Sequence, residues 1–158
     1  IECFGADPST IPHGQLGARV GRFVQVDVGF LNACALRDDG VAECWGEFQG
    51  GPAMTPVRTA ATGRYTKLAV TEYYACALRD DGAVECWGNP TYLAVAELVT
   101  PLPGRRFVEI YPQGEGMYTR DDLGQWYGWG HSNYTTLVFL RWAGVHDGFS
   151  DFGVSRFG

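Results

Sequence analysis

Short stretches of alternating apolar and polar residues predict β-strands along much of the chain. Residues 23–28 read FVQVDV, and two further apolar stretches, 33–37 and 41–45, flank the turn sequence DDG at 38–40. A period of two residues is typical of strands that bury one face. Glycine supplies the positive φ that a short hairpin loop needs, and aspartate bonds neighbouring backbone amides. The pattern therefore predicts one strand followed by a β-hairpin.

This pattern recurs with a fixed period. The units 23–46, 65–88 and 107–130 begin 42 residues apart, residues 149–158 resemble the start of a unit, and residues 1–5 resemble its end. Three to four strands per repeat of this length is the size of a propeller blade. We predict an all-β fold of β-propeller blades with three to four antiparallel strands each. About 3.7 repeats are present, which predicts a partial propeller or a ring completed by other segments or subunits.

The repeats predict a single domain over 1–158. An incomplete propeller leaves an open blade edge and an apolar face at each end. The chain is therefore expected to be a fragment of a longer propeller, one part of a ring shared between chains, or an arc that stacks into a fibre. Apolar pieces in the connections between units predict one further strand per unit. These connecting segments are 6–22, 47–64, 89–106 and 131–148.

The composition excludes several classes of protein. The formal net charge is −6, and the chain lacks the clustered Lys and Arg that a nucleic-acid partner requires. No apolar run approaches the roughly 18 residues of a membrane span. The 22 glycines and 8 prolines agree with short strands joined by turns.

The cysteines occupy equivalent positions in two units. Cys34 and Cys44 are symmetric about the turn of the first unit, as Cys76 and Cys86 are about the turn of the second, so we predict two cross-strand disulfides. Reduced core cysteines or a zinc site are the alternatives. Cys3 is then unpaired, or its partner is missing from this sequence. Disulfides imply an oxidising location, which is extracellular, cell-surface or periplasmic.

The third unit departs from the other two. Tyr118 and Gly128 stand at the cysteine positions, and the turn at 122–124 reads DLG in place of DDG. We expect this unit to rely on packing by Trp126 and Trp129 where the others have a disulfide.

The motifs CALRDDGVAECWG and CALRDDGAVECWG resemble the repeat of the regulator of chromosome condensation family, in its cysteine-bearing extracellular version. The resemblance covers almost the whole chain in period. It implies a seven-bladed propeller of antiparallel blades that serves as a protein-binding platform, as in a chromatin-bound exchange factor, a bacterial β-lactamase inhibitor and plant receptor-kinase ectodomains. This chain has fewer repeats and is acidic, so the nuclear role is not carried over.

No group of residues predicts a catalytic site. His13, His131 and His146 are isolated in connecting segments, without a nucleophile motif or metal-ligand spacing. The paired aspartates of the three turns lack the ligand run of a calcium loop, and turn formation accounts for them. We expect no enzymatic activity, no cofactor and no metal.

The loop between the first strand and the hairpin is the candidate contact surface. Its sequence varies between units, and it combines aromatic side chains with acids, which favours a basic protein partner. The alternative is that the aromatic rings only close the ends of the blades. The predicted binding rim consists of Phe30, Leu31, Asn32, Glu72, Tyr73, Tyr74 and Glu115.

Three functions follow from these observations. The leading hypothesis is a non-catalytic, extracellular propeller module that binds another protein. The second is a structural subunit whose open blade edges join copies of itself into a ring, sheath or filament. The weaker third is a glycan-binding module that uses Trp142, Tyr134 and Tyr92.

Overall fold

A computed structural model describes residues 21–48, 57–89, 105–114, 116–130 and 140–142. The regular structure in these ranges consists of β-strands. The strands are β1 (Phe23–Val28), β2 (Asn32–Arg37), β3 (Ala42–Gly46), β4 (Val57–Arg58), β5 (Tyr65–Val70), β6 (Tyr74–Arg79), β7 (Val84–Gly88), β8 (Phe107–Gln113), β9 (Gly116–Asp121), β10 (Trp126–Gly130) and β11 (Leu140–Trp142).

The strands form three antiparallel sheets, each a simple meander. We call β1–β4 blade 1, β5–β7 blade 2, and β8–β11 blade 3. Sheets of three to four antiparallel strands confirm the predicted all-β architecture. The described ranges include no helix that is long and apolar enough to cross a membrane.

The hairpin registers place equivalent residues opposite one another. Cys34 pairs with Cys44 across β2 and β3, and Cys76 pairs with Cys86 across β6 and β7. Both pairs form disulfides, with Cα atoms 4.1 Å and 4.0 Å apart. The two predicted disulfides are thus present, and Cys3 lies outside the described residues.

The DDG turns have the predicted chemistry. In blade 1, Gly40 has a φ of 83°, and the Asp39 carboxylate accepts the Val41 amide at 3.1 Å. Across the same hairpin, Arg37 forms an ion pair with Glu43 at 3.4 Å, and the equivalent pair of blade 2 lies at 2.8 Å. The turn residues and the cross-strand ion pair therefore fix each hairpin together.

Each of the first two blades packs the face that carries its disulfide against the next blade along the chain. The face of blade 1 that carries its disulfide contacts the face of blade 2 that carries Trp87; we call these the cystine face and the tryptophan face. The cystine face of blade 1 consists of Cys34, Leu36, Ala42 and Cys44, and the tryptophan face of blade 2 consists of Leu68, Val70, Ala75, Ala77 and Trp87. Blade 2 packs on blade 3 in the same way, through a cluster that includes Cys76, Leu78, Val84, Ile110, Met117 and Tyr127. Each interface buries apolar area from two sheets, which is the main stabilising contribution.

Two polar side chains of β1 reinforce the first interface. The amide group of Gln25 accepts the Leu68 N–H at 2.8 Å and donates to the Leu68 carbonyl at 2.7 Å. Asp27 accepts the Val70 N–H at 2.7 Å. Burial raises the pKa of Asp27, partly offset by this hydrogen bond and one from its neighbour Val28. These bonds satisfy backbone groups of β5 and fix its position beside β1.

Blade 3 replaces the cross-strand ion pair of the other hairpins with a buried acid. Asp121 stands opposite Phe107, where the other blades have an arginine. Its buried carboxylate forms an ion pair with Arg105 at 2.9 Å and accepts the hydroxyl of Tyr127 at 3.0 Å. It also accepts the Gln125 amide at 2.8 Å. The expectation of packing by tryptophan alone was therefore incomplete, because a buried charge with several donors also holds this hairpin.

Candidate functional site

The loops between the first and second strands of blades 1 and 2 lie side by side at one end of the blades. The side-chain amide of Asn32 donates to the Glu72 carbonyl at 3.0 Å. This bond joins the loop at 29–31 to the loop at 71–73. The two loops therefore form one continuous surface across the interface between the blades.

Four predicted rim residues remain accessible on this surface. Phe30 is 73% exposed, a large value for a phenylalanine. Leu31, Glu72 and Tyr73 are partly buried, and Tyr73 also packs against the core shared by blades 2 and 3. The accessible rim is thus an exposed aromatic ring beside partly covered apolar side chains and one carboxylate.

Two predicted rim residues are buried, and their assignment to the contact surface is wrong. Asn32 and Tyr74 begin β2 and β6 and are almost fully covered. Both lie two residues before a disulfide cysteine, so the period of two directs them into the interface between blades. The seventh predicted residue, Glu115, lies outside the part of the chain that the structure describes.

The loop at 29–31 has little freedom to move. A Cβ atom on Gly29 would lie 2.1 Å from the Asn32 side-chain oxygen and 2.5 Å from the Thr71 carbonyl. The Gly29 amide also donates to the Asn32 carbonyl at 2.8 Å. Phe30 is therefore presented from a backbone that packs directly against blade 2, and binding through it costs little ordering entropy.

The opposite end of the blades has a different character. The DDG turns there carry ion pairs such as Arg22 with Asp38 at 3.5 Å, and Arg79 bonds Asp81 and lowers its pKa. The charges of the DDG turns are therefore compensated by ion pairs, whereas the rim combines the exposed ring of Phe30 with the carboxylate of Glu72.

The described residues hold no group of three or more His, Cys, Asp and Glu side chains that could bind a metal. The turn carboxylates are already used by arginines and backbone amides, as at Asp39. His13, His131 and His146 lie outside the described ranges. Tyr92 and Tyr134 of the glycan hypothesis also lie outside them, and for Trp142 only the backbone in β11 is described.

Comparison with known proteins identifies the fold. No protein-family model and no curated protein sequence matches the chain. Human WBSCR16 is 22% identical with a TM-score of 0.58, over 72% of this chain and 34% of that chain. Yeast RCC1 (Prp20), solved with Kap60 bound, is 17% identical with a TM-score of 0.57, over 73% and 33%. The ectodomain of receptor kinase CR4 from Physcomitrella patens is 21% identical with a TM-score of 0.55, over 68% and 30%.

The chain spans about a third of the length of these structures. Sequence identities of this size support a shared fold, but they do not assign roles to individual residues. The similarity agrees with the meandering antiparallel sheets and with their packing as successive blades. The chain therefore has an RCC1-like β-propeller fold.

Proposed function

We propose that the chain is a non-catalytic module that binds another protein through the rim formed by Phe30, Leu31, Glu72 and Tyr73. The observation that carries this proposal is the exposure of Phe30 on a loop held against the next blade. An exposed aromatic side chain on a fixed backbone is typical of binding hot spots, since it buries a large area on contact at low entropic cost.

Structurally similar proteins support a protein partner. Yeast Prp20 has been solved with Kap60 bound, and it has binding properties toward Gsp1p and histones. For this chain the partner is proposed from the rim itself: an apolar pocket for Phe30, with basic groups that face Glu72. We further propose one repeat domain over 1–158, with units bounded as predicted from the sequence.

An extracellular location is part of the proposal. The two disulfides support an oxidising compartment, such as the cell exterior or periplasm. The similarity to a receptor-kinase ectodomain supports the same location.

The test first identifies a partner and then measures its affinity. A photo-crosslinking phenylalanine analogue at position 30 should capture a partner from the protein's native environment, and the same analogue at position 123 serves as control. Leu123 is 72% exposed and lies in the turn at the opposite end of blade 3. The captured protein is then purified, and its Kd is measured with the unmodified chain, Phe30→Ala and Leu123→Ala.

We expect Phe30→Ala to weaken binding about 10–100-fold, as loss of a hot-spot ring does, and Leu123→Ala to change Kd less than about twofold. Both variants should keep the thermal stability of the parent chain, because both side chains are exposed. Equal loss of affinity in the two variants, or unchanged affinity in Phe30→Ala, would contradict the proposed rim.

The self-assembling structural subunit is a second candidate, favoured by one observation. β1 exposes a row of three valines on the outer face of blade 1, and such a row is suited to contact with another sheet. Assembly that depends on chain concentration and needs no second protein would favour this function over partner binding.

A further inference from the structure

Charge is divided unevenly between the two ends of the blades. In the described ranges, every lysine and arginine lies in the half of its blade nearer the hairpin turn, or just before that half. The ion pairs of the described chain lie there as well, and they use Arg22, Arg37, Arg79, Arg105 and Arg120. The half of the described chain that ends at the rim therefore carries acids without cations.

Two acids border the Phe30 loop on different sides. The amide of Glu47, which follows β3, donates to the Leu31 carbonyl at 3.0 Å. The carbonyl of Glu72 accepts the Asn32 side-chain amide at 3.0 Å across the interface between blades. Glu47 thus adjoins the loop along the sheet of blade 1, and Glu72 adjoins it from blade 2.

Neither of these two carboxylates is used by the described chain. Glu47 is exposed and Glu72 is partly buried, and neither side chain forms an ion pair or a hydrogen bond with a described residue. At the other end, by contrast, the carboxylate of Asp39 bonds Arg37 and the Val41 amide. Two unpaired carboxylates beside an exposed ring, with no cation near them in the described chain, give the rim a negative potential that favours basic groups.

We propose that the rim selects a protein partner in which two Lys or Arg side chains flank an apolar patch, one cation for Glu47 and one for Glu72, with the patch against Phe30. The selection rests on the proposed function and adds Glu47 to the rim as a residue that determines specificity. A surface with acids at these places is rejected, because like charges would meet at a contact from which water is removed.

The experiment measures the association rate and the Kd of the partner captured at position 30. Because salt screens exposed charges, both are measured at about 50 mM and about 500 mM salt. The parent chain, Glu47→Gln, Glu72→Gln and the double variant are compared with Asp122→Asn. Asp122 is an exposed acid in the turn of blade 3 and forms no ion pair with another described residue. The control therefore removes the same charge at the opposite end of the blades.

At low salt we expect the double variant to associate about tenfold more slowly than the parent chain, each single variant about threefold more slowly, and Asp122→Asn less than about twofold more slowly. The difference between the double variant and the parent should shrink at high salt. An unchanged rate in the double variant, or an equal loss in Asp122→Asn, would overturn the proposal.

Phe30→Ala separates this proposal from the proposed function. If Phe30→Ala weakens binding and the double variant does not, the rim binds its partner without selecting basic groups, and only the charge selection is wrong. Unchanged affinity in Phe30→Ala contradicts the proposed function itself.

Synthetic peptides provide an arm that does not need the captured partner. Short peptides with an Arg-Leu-Arg, a Glu-Leu-Glu or an Arg-Ser-Arg core are crosslinked to the full chain through the phenylalanine analogue at position 30. We expect at least about fivefold more adduct with the Arg-Leu-Arg core than with either other core, and loss of this preference in the double variant. Equal yields for the three peptides would overturn the proposal.

Discussion

Among single residues, Glu85 and Asp27 have pKa shifts of opposite sign because their surroundings differ. The carboxylate of Glu85 accepts the hydroxyl of Tyr65 at 2.7 Å, Arg79 at 2.8 Å and the Ala61 amide at 3.1 Å. Burial acts to raise the pKa of Glu85, but these hydrogen bonds outweigh it and lower the pKa below 4.5. For Asp27, burial dominates and raises the pKa above 3.8.

These shifts predict pH effects of opposite sign. Because the pKa of Glu85 is lower in the folded chain, its contribution to stability is present above its unfolded pKa and is lost as pH falls. Because the pKa of Asp27 is raised, its contribution is present at low pH and is lost as pH rises. Between about pH 6 and pH 3, Glu85→Gln should therefore lose less free energy of unfolding than the parent chain, and Asp27→Asn should lose more.

Urea unfolding of the parent chain, Glu85→Gln and Asp27→Asn at about pH 6 and about pH 3 measures these differences in free energy of unfolding. Glu43→Gln is the matched control for Glu85→Gln, because blade 1 has Phe23 where blade 2 has Tyr65 and so supplies no hydroxyl. A parallel pH dependence in all variants would show that the two environments do not differ in the way described.

Only some features of these single residues were predictable from the sequence. The exposed position of Phe30 was predictable from its place in a variable loop. The burial of Tyr74 could also have been read from the period of two, since it lies on the same face as Cys76 and Leu78. The hydrogen bonds of Gln25 to Leu68 were not predictable, because they depend on how two distant strands lie beside one another.

At the scale of elements, each hairpin turn docks on the first strand of the following blade. The carbonyl of Gly40 accepts the Tyr65 amide at 3.1 Å, and that of Gly82 accepts the Phe107 amide at 3.0 Å. A Cβ atom on Gly40 would lie 2.3 Å from Cβ of Arg64. The turn sequence predicted the hairpin, and the 42-residue repeat predicted successive blades, but this second role of the turn glycine needs the packed structure.

Gly40→Ala should therefore cost more stability than Gly124→Ala. Gly124 has a similar φ, 79° against 83° for Gly40, but a Cβ atom there would have no described neighbour within 4 Å. We expect about 1–2 kcal/mol from backbone strain in both variants, and about 1–3 kcal/mol more from the clash in Gly40→Ala. Equal losses of free energy in urea unfolding would contradict the docking of the turn.

The two disulfides should differ in their resistance to reductant. Cys34, Cys44 and Cys76 are buried, whereas Cys86 is only partly buried. Since exchange needs access of a thiolate to sulfur, limiting reductant under native conditions should open the blade 2 disulfide first. Alkylation followed by peptide mass spectrometry measures the order. Earlier opening of the blade 1 disulfide would contradict the difference in access.

At the scale of the whole molecule, the blades have a direction and two unlike ends. The cystine face of blade 1 covers the tryptophan face of blade 2, and the cystine face of blade 2 covers Ile110 and Met117 of blade 3. Blade 1 offers an apolar outer face at β1, while blade 3 carries an arginine and a glutamate on the opposite side. The period and the disulfide hairpins were visible in the sequence. The unlike ends depend on which faces meet, and the strand registers were needed to see them.

Native mass spectrometry over a range of chain concentrations tests most directly whether this molecule acts by binding another protein. Mass action makes any self-assembly depend on concentration. We predict the mass of a single chain from about 1 to 100 µM, and a one-to-one complex once the captured partner is added. Ordered multiples of the chain with no second protein present, which Phe30→Ala leaves unchanged, would instead make it an assembly subunit and contradict the proposed function.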